Sequence, residues 1–124
     1  MGRTVGVADV SIENGVLRID LTVPERVLSL HGRTVEIPIG NITDMRPVED
    51  VMSEIRGLKM PGTRLPGSLA IGTWQGQDDR EAFHDFVVVH EDGPGVVISA
   101  QDSEYDRVVL GNEDPDALLA ELSA

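Results

Sequence analysis

Along most of this chain, polar and apolar residues alternate with a period of two. Val10 and Ile12 alternate with Ser11 and Glu13; Leu17, Ile19 and Leu21 alternate with Arg18, Asp20 and Thr22. Between the two runs stands Asn14-Gly15, a pair that tolerates the positive φ angles of a type I′ turn. The pattern therefore predicts a hairpin with strands near 7–13 and 16–23. Beyond Pro24-Glu25, the segments Arg26–Leu30 and Thr34–Ile39 read as a second hairpin about His31-Gly32-Arg33. Pro38 lacks a ladder donor and marks an edge or a bulge. A short strand is expected over Asn41–Arg46.

The period changes in the middle. Val48, Val51, Met52 and Ile55 recur at the spacing of one helix face, with Glu49, Asp50 and Glu54 opposite, which predicts a two-turn helix ended by Gly57. From Gly57 to Gly67, three glycines and two prolines interrupt any regular element, and the longest loop is expected there. Strand periodicity resumes over Ser68–Trp74, continues through Glu81–His90 after a polar turn at Gln75–Arg80, and returns at Val96–Ala100 and Asp106–Leu110. Val87-Val88-Val89 and Val96-Val97-Ile98 are unbroken β-branched runs, as expected of strands covered on both faces or partly wrapped. The chain then turns helical: Asp114 can cap, Pro115 suits a first helical position, and Leu118, Leu119 and Leu122 form one stripe.

These signals describe a single domain over residues 1–124, mainly β. About seven to eight strands would form an antiparallel barrel or sandwich whose open end the C-terminal helix closes. Burial of three leucines there would contribute about 1.5–3 kcal/mol each. An open meander with the helix across one face is the competing arrangement.

Charge narrows the function. Ten basic residues against 22 acidic ones leave a net charge of −12, which opposes general affinity for nucleic acid or anionic lipid. The imbalance is uneven: residues 1–66 hold eight basic and nine acidic side chains, residues 67–124 two and thirteen. Arg56, Lys59 and Arg64 lie in a window with no acid between Glu54 and Asp78. Cysteine is absent, which excludes disulfides, thiolate metal sites and thiol catalysis. With no stretch resembling a leader or a membrane span, a cytoplasmic protein is expected. Nine of the ten basic residues are arginine, a bias that fits a GC-rich bacterial genome.

Several segments together resemble bacterial pleckstrin-homology-like domains. They are Leu17–Leu21, the run Glu36–Ile42, the run Gly62–Gly67 followed by Gly72-Thr73-Trp74, the valine-rich strands, and Asn112–Asp116 ahead of a leucine helix. The likeness spans most of residues 10–122 and implies a strongly bent seven-stranded barrel capped by a C-terminal helix; an extra N-terminal strand departs from it. It also implies a docking or assembly role. Relatives that hold inositol phosphates gather lysines and arginines around their first hairpin, whereas Glu13-Asn14-Gly15 has only Arg18 nearby, which argues against lipid headgroups.

Candidate chemistry is sparse. His84 and His90 share one side of an extended strand but stand about 20 Å apart, too far to share an ion even with Asp85 or Glu91. The acidic runs 77–81 and 102–106 lack the spacing of a calcium loop, and no serine sits in a nucleophile elbow. Trp74, Phe83, Phe86 and Tyr105 are too few for a stacking platform, and Trp74 and the two phenylalanines are expected in the core. The expected function is a noncatalytic interaction or assembly module without cofactor or metal. It would bind a protein partner or a second copy through a strand edge or through Arg56, Lys59 and Arg64. The same loop could instead pack Leu58, Met60 and Leu65 onto the barrel with its charges solvated. A small-ligand carrier using the barrel interior or mouth is the alternative.

Overall fold

Asn14 and Gly15 adopt φ angles of 52° and 77°, as a type I′ turn requires, and join the first two strands in the predicted register, with Ile12 opposite Leu17. A computed structural model of the chain describes residues 9–21, 34–65, 69–78 and 81–123. Among these stand nine strands: β1 (Asp9–Glu13), β2 (Val16–Asp20), β3 (Val35–Pro38), β4 (Ile42–Val48), β5 (Leu58–Leu65), β6 (Leu69–Asp78), β7 (Glu81–Val89), β8 (Gly95–Ala100) and β9 (Arg107–Gly111). Helix α1 (Pro115–Ser123) follows. No helix among the described residues is long and apolar enough to cross a membrane.

The strands form two sheets, one of order β1-β2-β3 and one of order β4-β8-β9-β7-β6-β5. Their facing sides share a core. Leu17, Ile19, Val35 and Ile37 from the small sheet meet Phe86, Val88, Val96, Ile98, Val108 and Leu110 from the large one. Helix α1 contacts β4 and β8 and adds Leu118 and Leu122 to this core, with Leu119 partly buried against it. Asp114 caps the helix: its Oδ1 accepts from the Ala117 amide at 3.2 Å. The protein is thus a mainly β sandwich capped by its C-terminal helix.

Four expectations need correction. Pairing is not wholly antiparallel, because β9 inserts between β7 and β8 and runs parallel to β7, with Val87 opposite Val109. The predicted loop from Gly57 to Gly67 holds strand β5, which raises the strand count to nine. Pro61 and Gly62 fall where the register with β6 shifts, between Lys59 and Gly62, so an edge strand absorbs them as an irregularity. The predicted two-turn helix is a single 3₁₀ turn, Val51–Glu54, with no side-chain cap on its first amides. The turn between β6 and β7 is also shorter than expected, since β6 extends through Asp78. Of the second hairpin, Thr34–Ile39 supplies β3, which pairs with β2; Arg26–Leu30 and His31 lie outside the described residues.

The valine runs are covered on both faces, as their sequence implies. Val87, Val89, Val97 and Val109 form a second buried cluster with Val51, Ala70 and Trp74 on the opposite side of the large sheet. The segment from Val48 to Ile55 lies against this cluster through Val48, Val51, Met52 and Ile55. Phe83 and Phe86, on opposite faces of β7, are both buried.

Candidate functional site

A buried carboxylate organises the charged residues nearest to β5. Asp85 lies on the same face of β7 as Phe83, Val87 and Val89, so strand geometry aims it at the second apolar cluster, where its side chain is 1% exposed. A charge so placed requires partners. Arg56 supplies two contacts, Nε to Oδ2 at 2.6 Å and Nη2 to Oδ1 at 3.1 Å, the parallel fork that guanidinium and carboxylate geometries share. Arg107, directly opposite Asp85 on β9, adds Nε to Oδ2 at 3.2 Å.

The network extends to the 3₁₀ turn. Arg107 also donates through Nη2 to the Glu54 backbone carbonyl, and its Nη1 lies 3.6 Å from Glu54 Oε1. Arg46 on β4 reaches the same carboxylate oxygen at 2.8 Å. Among the described contacts, Arg46, Arg56 and Arg107 thus share the carboxylates of Glu54 and Asp85. The Arg56 guanidinium also lies over the Phe83 ring, 3.9 Å from its centroid, a cation–π contact.

Gly57 places the start of β5 beside this cluster. Its φ is +81°, and a Cβ there would fall 2.5 Å from the Gln75 carbonyl oxygen and 2.9 Å from the Phe83 ring. Only glycine fits so tight an approach. Leu58 then pairs with Gln75 and Lys59 with Trp74.

The three residues singled out from the sequence do not form one patch. Arg56 precedes β5 and is engaged by Asp85 of its own chain. Lys59 stands opposite Trp74, whereas Arg64 stands opposite Ala70, four positions further along β6. At strand rise that separation is about 13 Å. All three nevertheless flank or occupy the outermost strand of the large sheet; among the described residues, β5 pairs with β6 alone.

Other candidates are accounted for by local contacts. Exposed His84 exchanges a 2.7 Å hydrogen bond with Gln75, and its amide donates to Asp106 at 2.8 Å. No group of three metal-ligating side chains occurs among the described residues. Arg18 of the first hairpin pairs with Glu36 at 2.8 Å and with Asp20 at 3.3 Å. A cavity of about 600 Å³ opens beside α1, its described walls all drawn from the stretch between Asn112 and Glu121. Among the described residues, Leu17, Ile19, Phe86, Val96, Ile98 and Val108 between the sheets have no exposed surface.

Comparison with protein-family models, with curated proteins and with solved structures gave no match.

Proposed function

We propose that this protein is a noncatalytic interaction module whose binding element is the outer edge of β5. The carrying observation is that the acid-free, basic stretch of the sequence contains β5, which among the described residues is the terminal strand of a six-stranded sheet. An edge strand presents backbone donors and acceptors in the spacing another extended chain needs, so strand addition is its native mode of binding. The buried arginine–aspartate network supports the reading by fixing where the edge begins. Its carboxylates are consumed by arginines of the same chain, which leaves no acid–base pair poised for catalysis there.

The sandwich and its closing helix favour the pleckstrin-homology-like assignment, a family of docking domains, while the parallel β7–β9 pairing departs from an antiparallel meander. A carrier would use the interior or the mouth of the sandwich, and the packed core residues among those described disfavour the interior.

The test uses proline as an edge block. Successive amides of β5 point alternately toward β6 and away from it, so Thr63→Pro and Arg64→Pro remove one inward and one outward donor between them. The variant that keeps its thermal midpoint is the edge block. Peptides selected by display on the wild-type chain should lose binding to that folded variant. Selected peptides that ignore the block, or thermal stabilisation of a strict monomer by a small metabolite, would overturn the proposal.

A further inference from the structure

We infer that the partner of the β5 edge is an acidic, extended peptide segment that adds as a strand beside Leu58–Leu65. This inference rests on the edge reading above and specifies its chemistry. Residues 55–77 contain no acid and carry Arg56, Lys59 and Arg64, while the remainder of the chain is strongly acidic. Of these, Lys59 and Arg64 lie within β5 itself, and Arg56 stands two residues before it. Lys59 stands at the end of the cross-strand row Lys59, Trp74, Asp85, Arg107. The row thus ends on β5, which among the described residues is the outermost strand of the large sheet and carries two cations and no acid.

The overall charge of −12 does not cancel this preference. At physiological ionic strength the screening length is about 8 Å, so the distant acidic elements weaken while the adjacent cations act on the incoming strand. The backbone ladder selects a polypeptide over other polyanions, because only another peptide backbone matches its alternating donors and acceptors.

A second copy fits this edge badly. Two β5 strands paired antiparallel about their midpoint would set Lys59 opposite Arg64, and like charges directly across a ladder are destabilising. The acidic stretches of a second copy are already folded into other structure. The Asp102 carbonyl accepts from Asn41 at 3.2 Å, the Asp106 carboxylate from the His84 amide at 2.8 Å, and Asp114 caps α1.

The experiment measures fluorescence anisotropy of two short labelled peptides on the full chain, one alternating valine with glutamate and one alternating valine with lysine. The glutamate peptide should bind at least about tenfold more tightly, and its affinity should fall between low and physiological salt. The double variant K59E/R64E should reverse the order; K59Q/R64Q, which adds no repulsion and so guards against misfolding, should erase the preference. Folding of each variant is checked by circular dichroism. Equal binding of both peptides, or preference for lysine, would overturn the acidic partner while leaving the edge reading standing. Failure of both peptides to bind would remove the edge reading as well. A dimer by light scattering that dissociates on edge block, or an oligothymidylate that binds as tightly as the glutamate peptide, would also overturn the inference.

Discussion

Replacing Asp85 with alanine removes an acceptor that two guanidiniums share and leaves both beside apolar surface. Breaking a buried ion pair by deleting one partner costs about 3–5 kcal/mol, because the remaining charge is stranded. The Arg56 side chain is 32% exposed and can regain water, whereas Arg107 is 16% exposed and also bound to Glu54, so the lower end, about 3 kcal/mol, applies. For a chain of 124 residues, at about 2.1 cal/mol/K each, the unfolding entropy is about 0.26 kcal/mol/K. A loss of about 3 kcal/mol then lowers the midpoint by about 12 °C.

Deleting the other partner has a different consequence. Arg56→Ala leaves Asp85 still bound by Arg107 and forfeits the Phe83 contact, a loss of about 1–2 kcal/mol. Once Asp85 is gone, removing Arg56 adds little, so the double-mutant cycle should give a coupling of about 1.5 kcal/mol. Urea denaturation followed by circular dichroism, with unchanged m-values, measures all three variants. The reasoning fails if Asp85→Ala costs less than Arg56→Ala, or under about 1 kcal/mol, the value of an exposed pair.

Two further substitutions probe the parts that hold the edge and close the sandwich. Gly57→Ala imposes a side chain at φ +81° and 2.5 Å from the Gln75 carbonyl, and should destabilise by more than about 2 kcal/mol in the same assay. A loss under about 0.5 kcal/mol would mean that β5 starts elsewhere. Leu118→Ala empties a side chain that is 3% exposed in the shared core and should cost about 2–5 kcal/mol; a neutral result would detach α1 from that core.

The local pattern carried much of the fold. Alternation at Val10–Leu21, with Asn14-Gly15 between, contains its own register, because the turn type and both apolar faces are specified within a dozen residues. Asp114 and Pro115 likewise announce a helix start without reference to anything distant. What could not be read locally depends on partners far along the chain. Pro61 and Gly62 argue against a strand until β6 supplies a ladder that tolerates a bulge. The placement of β9 between β7 and β8 is a choice among sheet orders that leaves no mark on the strands themselves.

Asp85 lies between these cases. Beside His84 it reads as a possible metal ligand, yet it shares a strand face with Val87 and Val89, and a carboxylate on a core-facing position demands a buried cation. That signal was present in the alternation. The identity of the cation was not, since Arg56 lies 29 residues away.

This carboxylate also bears on where β5 begins. Arg56 is the residue before Gly57, and Gly57 is packed onto Gln75 and Phe83, so the fork on Asp85 and the tight glycine contact fix the position from which β5 departs. An edge strand has neighbours on only one side, and its register depends on what anchors its ends. With Leu58 held opposite Gln75, Lys59 falls in the row of Trp74, Asp85 and Arg107. On the proposed edge reading, the buried aspartate would act on binding without touching the partner, by setting the register in which Lys59 is offered.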